Sequence, residues 1–153
     1  MKKLAILILA LGAFTTTSLA QEYNWGIGVR GGLASGVTAK FFYEGDKAWE
    51  GILTTRYEGL MVTALHEWQN PISPGFSWFY GVGAHLGTWP GNDVFEGSLA
   101  VGVDGIIGLE YEFLSEFNVP LNIALDYKPA FNLIEDTGVI GDELALSLRF
   151  IFP

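Results

Sequence analysis

The sequence predicts an all-β fold, an eight-stranded antiparallel up-and-down transmembrane β-barrel. Three observations predict this architecture. Half of the 153 residues are apolar, yet after an N-terminal leader no apolar run approaches the roughly 20 residues of a membrane-spanning helix. Segment after segment instead alternates apolar and polar residues with the two-residue period of a strand. Turn-forming residues separate these segments.

The first twenty residues have the three parts of a secretory signal peptide. A short basic start precedes a nearly unbroken apolar run at 4–14, and residues 18–20 (Ser-Leu-Ala) have the small side chains of a cleavage site. The alternative, a membrane anchor, needs a longer apolar run. We therefore expect a signal peptide at 1–20 that is cleaved after Ala20, and a single barrel domain at 21–153.

The alternation places eight strands after the leader. They are expected at residues 23–33, 37–43, 49–57, 60–68, 76–88, 102–113, 120–132 and 142–152. Residues 58–59 (Glu-Gly) have the composition of a two-residue hairpin turn, and residues 70–71 (Asn-Pro) and 73–75 (Ser-Pro-Gly) are predicted to break the chain. The longest connection is expected at 89–101. An even number of strands is typical of single-chain bacterial barrels.

Each predicted strand has one apolar face and one face of glycine, charged and small residues. The first strand sets Trp, Ile and Val opposite glycines and Arg30, and the fifth sets large apolar residues opposite glycines and His85. The sixth and seventh strands place Leu, Ile and Tyr opposite carboxylates and Lys128. The last strand sets Leu and Phe opposite Glu143 and Arg149. None of these segments shows the 3.6-residue period of a helix.

The polar face is predicted to line the barrel interior, the lumen. Long charged side chains opposite glycines fit inside a narrow eight-stranded tube, whereas glycines on the outside of a soluble barrel would weaken the strands and cover nothing. Because an unpaired buried ion is very costly, we expect these charges to pair and to have a structural role. The predicted lumen charges are Arg30, Lys40, Arg56, Asp104, Glu110, Glu112, Asp126, Lys128, Glu143 and Arg149.

The net charge of the mature chain narrows the classes of molecule that it is expected to bind. Cleavage removes two of the eight Lys and Arg residues, so six remain against 17 Asp and Glu, and 6 − 17 gives a mature net charge of −11. Such an acidic chain, without basic clusters, is not expected to bind nucleic acid. Since the lumen charges are expected to be nearly balanced, the acidic excess is expected on loops and rims, at Glu22, Glu44, Asp46, Asp93, Glu96, Glu116, Glu135 and Asp136.

Aromatic residues predict an orientation. If the N-terminus lies in the periplasm, eight aromatic residues at strand ends collect at the periplasmic rim, as an interfacial girdle does. They are Trp25, Tyr43, Trp49, Trp68, Trp78, Phe113, Phe150 and Phe152. The opposite rim has fewer, namely Tyr57, Trp89 and Phe131. The same topology places the longest connection outside the cell.

No motif points to catalysis, a cofactor or a metal. The chain has two histidines, His66 near the predicted periplasmic rim and His85 on the predicted lumen face. It lacks a G-x-S-x-G nucleophile elbow and an HExxH or comparable metal-binding spacing. Its Gly-rich segments alternate as strands and precede no helix, so they are not phosphate loops. We therefore expect no catalytic residues, no cofactor and no metal.

Several segments resemble small outer-membrane β-barrel proteins of Gram-negative bacteria, the OmpA/OmpX/OmpW-like group. They are 25–33 (WGIGVRGGL), 49–65 (WEGILTTRYEGLMVTAL), 79–87 (FYGVGAHLG), 103–113 (VDGIIGLEYEF), 120–131 (PLNIALDYKPAF) and 146–152 (LSLRFIF). The resemblance implies export, assembly by the barrel-insertion machinery, an eight-stranded barrel and no shared catalytic residues. One departure is that Pro153 follows Phe152, whereas such barrels usually end on an aromatic residue that the machinery reads.

These observations predict a non-enzymatic outer-membrane protein. Its expected surroundings are outer-membrane lipid, its expected state is a monomer, and its lumen is expected to form no open aqueous pore. Envelope integrity, surface interaction and uptake of a small apolar molecule all remain open as its task. The alternative is a secreted or periplasmic lipocalin-like barrel that binds a ligand. A lipid-modifying outer-membrane enzyme is a third, more distant hypothesis.

Overall fold

The computed structural model describes residues 23–56, 59–89, 98–134, 138–141 and 143–152. The predicted signal peptide and its cleavage site lie outside these residues. The described chain is almost entirely strand, with one short helix. Its elements are β1 (Trp25–Gly32), β2 (Ser35–Glu44), β3 (Lys47–Arg56), β4 (Gly59–Ser73), β5 (Phe76–Trp89), β6 (Ser98–Glu112), α1 (Leu114–Phe117), β7 (Leu121–Tyr127), β8 (Ala130–Ile134), β9 (Gly138–Ile140) and β10 (Leu144–Phe152). No helix among the described residues is long and apolar enough to cross a membrane.

The strands close into an eight-membered antiparallel barrel. From β1 to β6 each strand pairs with the next one along the chain. Both β7 and β8 pair with β6 and together occupy the seventh position, while β9 and β10 occupy the eighth. Pairing of β10 with β1, from Trp25 opposite Phe152 onward, closes the circuit. The predicted all-β, up-and-down, eight-stranded barrel is thus confirmed.

The stagger of the strands determines the width of the barrel. Following paired residues from Gly28 through β2 to β5 leads to Gly102 on β6. Following them from Gly28 the other way, through β10 and β7, leads to Glu112 on the same strand. The stagger is therefore 112 − 102, or 10 residues. With eight strands it implies a tilt of roughly 40° and an interior that side chains can fill.

The predicted break at residues 70–71 was wrong. Strand β4 continues through Pro71, which lies opposite Ser77, and a register irregularity follows before Ser73. The N–H of Gln69 donates to the backbone carbonyl of Asp46, the residue just before β3 (2.7 Å). Pro71 follows two residues later, so its backbone nitrogen points to the same side of β4. Strand β3 begins at Lys47, opposite Trp68, and does not extend as far as Pro71. Proline is tolerated at such an edge.

The predicted seventh strand, 120–132, is interrupted at Lys128–Pro129. Here the carbonyl of Pro129 accepts the N–H of Gly105 (2.9 Å), and the N–H of Lys128 donates to the carbonyl of Glu143 (2.9 Å). Proline has no N–H for the ladder, so β7 ends and β8 begins after it. The predicted eighth strand, 142–152, is present as β10 (Leu144–Phe152), whereas the short strand β9 (Gly138–Ile140) that precedes it was not predicted.

One predicted connection is shorter than expected, and another is displaced by one residue. Strands β5 and β6 remain paired as far as Trp89 and Ser98, so β6 begins four residues before the predicted 102. Residues 90–97 lie outside the described chain. Strand β4 begins at Gly59, opposite Arg56, so Gly59 belongs to a strand and not to the turn predicted at 58–59.

Two apolar clusters pack inside the barrel. We call the end where β1 begins and β10 ends the proximal rim, and the opposite end the distal rim. One cluster lies on the wall formed by β3 to β7 and comprises Ile52, Leu65, Phe79, Ile106 and Ala124. The other closes the proximal end, with Leu114 of α1 packed against it, and comprises Tyr23, Phe42, Ala48 and Ile151. The rest of the described interior is largely polar.

Candidate functional site

The structure places nine of the ten predicted lumen charges inside the barrel, each at most 5% exposed. The tenth is Arg56, whose side chain is not among those that the structure describes. The buried members are Arg30, Lys40, Asp104, Glu110, Glu112, Asp126, Lys128, Glu143 and Arg149. Apart from Glu112, which bonds Ser115 beside α1, they belong to two networks, one nearer each rim.

The proximal network joins two cations to three carboxylates. The Nζ of Lys40 lies 2.8 Å from Oε2 of Glu110 and 2.8 Å from Oε2 of Glu67. Arg149 donates through Nη2 to Glu50, and its Nη1 lies 3.5 Å from Glu110. These side chains come from β2, β3, β4, β6 and β10. The network therefore ties opposite walls of the barrel together.

Tyr23 seals the proximal end beneath this network. Its hydroxyl donates to Oε1 of Glu110 (2.7 Å) and accepts from Nδ2 of Asn122 (3.3 Å). Its ring packs edge-to-face against Phe42, with 5.1 Å between centroids. Simple alternation from the outward-facing Trp25 would direct Tyr23 outward as well. The chain bends at Asn24, before β1 begins, and this bend turns Tyr23 into the barrel.

The distal network joins β1, β6 and β7 to Lys128, which follows β7, and to Glu143, which precedes β10. Arg30 donates from both terminal nitrogens to Asp126, at 2.7 and 2.6 Å, and lies 3.8 Å from Glu143. The Nζ of Lys128 lies 2.9 Å from Asp104 and 2.9 Å from Glu143. Each cation thus contacts two carboxylates.

His85 extends the distal network across the lumen wall. Its Nδ1 lies 2.8 Å from Oδ2 of Asp104, and its Nε2 lies 2.8 Å from Oδ1 of Asn132. The imidazole lies over Gly102 of the neighbouring strand, where an added Cβ would fall 2.4 Å from Cε1 of the ring. Gly102 therefore provides the space that the ring occupies. The sequence places His85 on the lumen face but does not reveal these partners.

Two lumen carboxylates were missed by the sequence analysis. Glu50 and Glu67 are 1% and 0% exposed, yet they share their inward faces with the apolar residues Ile52 and Leu65. This mixture hid the polar face of β3 and β4. The two networks hold more acid than base, so the interior is more acidic than the expected near-balance. Their carboxylates are Glu50, Glu67, Asp104, Glu110, Asp126 and Glu143, and their cations are Arg30, Lys40, Lys128 and Arg149.

The outer face is apolar. Large aliphatic side chains on all sides of the barrel are 41–59% exposed. They include Ile27, Val29, Val37, Leu53, Leu60, Val62, Val82, Leu86, Val103, Ile107, Leu109, Leu125, Leu146 and Leu148. A depression of about 370 Å³ lies among such side chains on the outer surface of β5, β6, β7 and β10.

Aromatic rings form a belt around the outside, toward the proximal rim. On β3, β4 and β5 the rings contact one another in sequence, with Trp49 against His66 (4.8 Å between centroids), His66 against Trp68 (4.4 Å) and Trp68 against Tyr80 (5.4 Å). Further ring pairs continue the belt, namely Trp25–Phe41, Trp78–Tyr80, Tyr111–Phe113 and Phe150–Phe152. Trp68 is not at a strand end, because β4 runs on to Ser73.

Comparisons with known proteins find no match: no protein-family model matches the chain, and no curated protein does. Within the described ranges, no group of three or more His, Cys, Asp or Glu residues is arranged to hold a metal ion.

Proposed function

We propose that this protein is a non-enzymatic β-barrel of the bacterial outer membrane, whose packed lumen stabilises the barrel and carries no solute. The observation that supports this best is the distribution of side chains. Arg30, Lys40 and Arg149 are buried inside with their carboxylate partners, whereas the outward positions are apolar. Membrane barrels have this arrangement, and soluble barrels have the reverse.

The extent of the apolar face supports a lipid environment. Soluble monomers rarely expose a continuous apolar patch larger than a few hundred Å², and leaving such surface in water costs about 25 cal/mol per Å². Strands β2 and β3 have 10 residues each and β10 has 9. A tilted strand needs about 9–11 residues to span the hydrocarbon core.

The aromatic belt supports an orientation. Trp and Tyr prefer the boundary between hydrocarbon and headgroups, and a belt at one rim is suited to that boundary. With the N-terminus on the periplasmic side, the proximal rim faces the periplasm. The β2–β3 turn then lies in the periplasm, and the connection between β1 and β2 lies outside the cell.

A lipocalin-like function has less support. Such a barrel keeps an apolar cavity for its ligand, whereas the described lumen of this chain holds two ion-pair networks and two packed apolar clusters. The same filling argues against passage of a small apolar molecule through the lumen. Envelope integrity or contact at the cell surface therefore remains as the proposed task.

Fractionation combined with cysteine labelling tests the proposal. The chain has no cysteine, so single cysteines can be placed at the exposed Ser35, near the distal rim, and at the exposed Asp46, in the proximal β2–β3 turn. Both variants should fractionate with the outer membrane. In intact cells a membrane-impermeant maleimide should label Ser35→Cys and spare Asp46→Cys until the cells are lysed. A soluble periplasmic protein would overturn the proposal, and the opposite labelling would overturn the orientation alone.

A further inference from the structure

Glu50 and Glu67 lie side by side on the inner wall of the barrel. On the paired strands β3 and β4, Glu50 is opposite Leu65 and Glu67 is opposite Ala48, so the two glutamates are diagonal neighbours on one face. Both side chains are buried, with Glu50 1% and Glu67 0% exposed. Ionised carboxylates only accept hydrogen bonds. A hydrogen bond between these two groups therefore requires a proton on one of them.

The hydrogen-bond donors around the pair leave one oxygen of each carboxyl group without a partner. Glu50 accepts from Arg149 and from Thr38 through Oε1, and Glu67 lies 2.8 Å from Lys40 through Oε2. The remaining oxygens, Oε2 of Glu50 and Oε1 of Glu67, have no donor in the part of the chain that the structure describes. A buried acceptor without a donor is costly.

The charge balance of the proximal network also favours a bound proton. Three carboxylates, Glu50, Glu67 and Glu110, face two cations, Lys40 and Arg149. If all five groups are ionised, the network, as far as the described residues show it, carries one more negative than positive charge inside the barrel, where excess charge is very unfavourable. One proton would neutralise the network and also supply the missing donor.

We propose that Glu50 and Glu67 form a proton-binding site that holds one shared proton at neutral pH. Glu67 carries it, because Glu50 is bonded to Arg149 and is better stabilised as the anion. The other titratable and charged groups around the pair are Lys40, Arg149, Glu110 and Tyr23, together with Arg30 and Asp126 of the distal network, which act on Glu50. The proximal network is then neutral. The stability of the barrel falls at alkaline pH, because loss of the proton restores the excess negative charge.

Infrared spectroscopy of the purified protein, refolded in detergent micelles at neutral pH, tests the site. A protonated carboxyl group has a C=O stretch distinct from that of a carboxylate, and the band shifts in D2O. The band should be present in the native protein and absent from Glu67→Gln, which mimics the protonated acid in size. It should persist in Glu44→Gln, a control that changes an exposed carboxylate at the β2–β3 turn. Absence of the band from the native protein, or its persistence in Glu67→Gln, would overturn the proposal.

Stability supplies an independent readout. Glu67→Gln should unfold at the same denaturant concentration as the native protein at neutral pH and at a higher one at alkaline pH, because the amide cannot lose a proton. A small cation is the competing occupant. If replacing sodium by choline at constant ionic strength lowers the stability of the native protein but not that of Glu67→Gln, the site binds a metal ion and the proposal is wrong.

Discussion

Arg30 and Asp126 are separated by 96 residues in the sequence, yet they form a two-pronged ion pair in the distal lumen, with N–O distances of 2.7 and 2.6 Å. Arg30 lies on β1 and Asp126 on β7, and β10 runs between those strands. The pair therefore fastens two strands that share no backbone hydrogen bonds.

Removing one member of this pair should destabilise the barrel strongly. Asp126→Ala leaves a buried guanidinium with weaker partners, and breaking a buried pair on one side costs about 3–5 kcal/mol. Urea unfolding in lipid vesicles measures the change. Glu44→Ala, which removes the exposed Glu44–Lys47 pair in the β2–β3 turn, is the control and should leave stability unchanged. Equal effects of the two changes would contradict a supporting role for the distal network.

Replacing an outward leucine by arginine should distinguish lipid from water as the surroundings. Leu148 is the middle residue of β10, and its outward side chain is nearly half exposed. In a membrane barrel, Leu148→Arg should lower the free energy of unfolding by about 2–4 kcal/mol near the midplane. The matched control is Asp46→Arg in the β2–β3 turn, which should fold normally in the same vesicles. A soluble barrel would tolerate both substitutions alike, so equal unfolding curves would count against the membrane assignment.

Gly102→Ala should displace His85. The added Cβ would lie 2.4 Å from Cε1 of His85 and 2.2 Å from the carbonyl oxygen of Phe131, so the ring cannot keep both hydrogen bonds. We expect a loss of stability of about 1–3 kcal/mol, in the range for overpacking a filled interior. Gly51→Ala is the control, because nothing lies within 4 Å of its Cβ position. If the two alanines behave alike in chemical unfolding, His85 is not held in this place.

The refolded protein should show no large, steady conductance in a planar bilayer. The interior of an eight-stranded barrel is filled by side chains, whereas porin-type channels use 16–18 strands. Arg149→Ala should reduce stability, since it removes the partner of Glu50, and should leave the protein in the membrane. A porin-sized conductance in the native protein would make transport the leading function. A conductance that appears in Arg149→Ala without loss of stability would make the proximal network a gate.

The exported protein should begin at Gln21. The basic start, the apolar run at 4–14 and the small residues at 18–20 predict cleavage after Ala20. N-terminal sequencing of protein recovered from the envelope should give Gln21, Glu22 and Tyr23 in that order. A mature chain that keeps Met1 would refute the signal peptide.

Two prolines illustrate what local sequence cannot decide. Pro71 and Pro129 both follow a polar residue inside or beside an alternating segment, and each lacks the N–H that a ladder needs. Strand β4 nevertheless continues through Pro71, whereas Pro129 separates β7 from β8. The difference depends on whether a neighbouring strand is present at that height, and this is a property of the assembled sheet.

The alternation of residues by itself determined the class of fold, the number of strands and the face on which most charges lie. That information is local, because successive side chains of a strand point to opposite faces whatever surrounds them. Only the closed barrel decided which charges meet. The ten-residue stagger brings Arg30 to Asp126 and Lys40 to Glu67, and the bend at Asn24 turns Tyr23 inward. Partners across a lumen depend on strand register and tilt, which the spacing of residues along one strand does not contain.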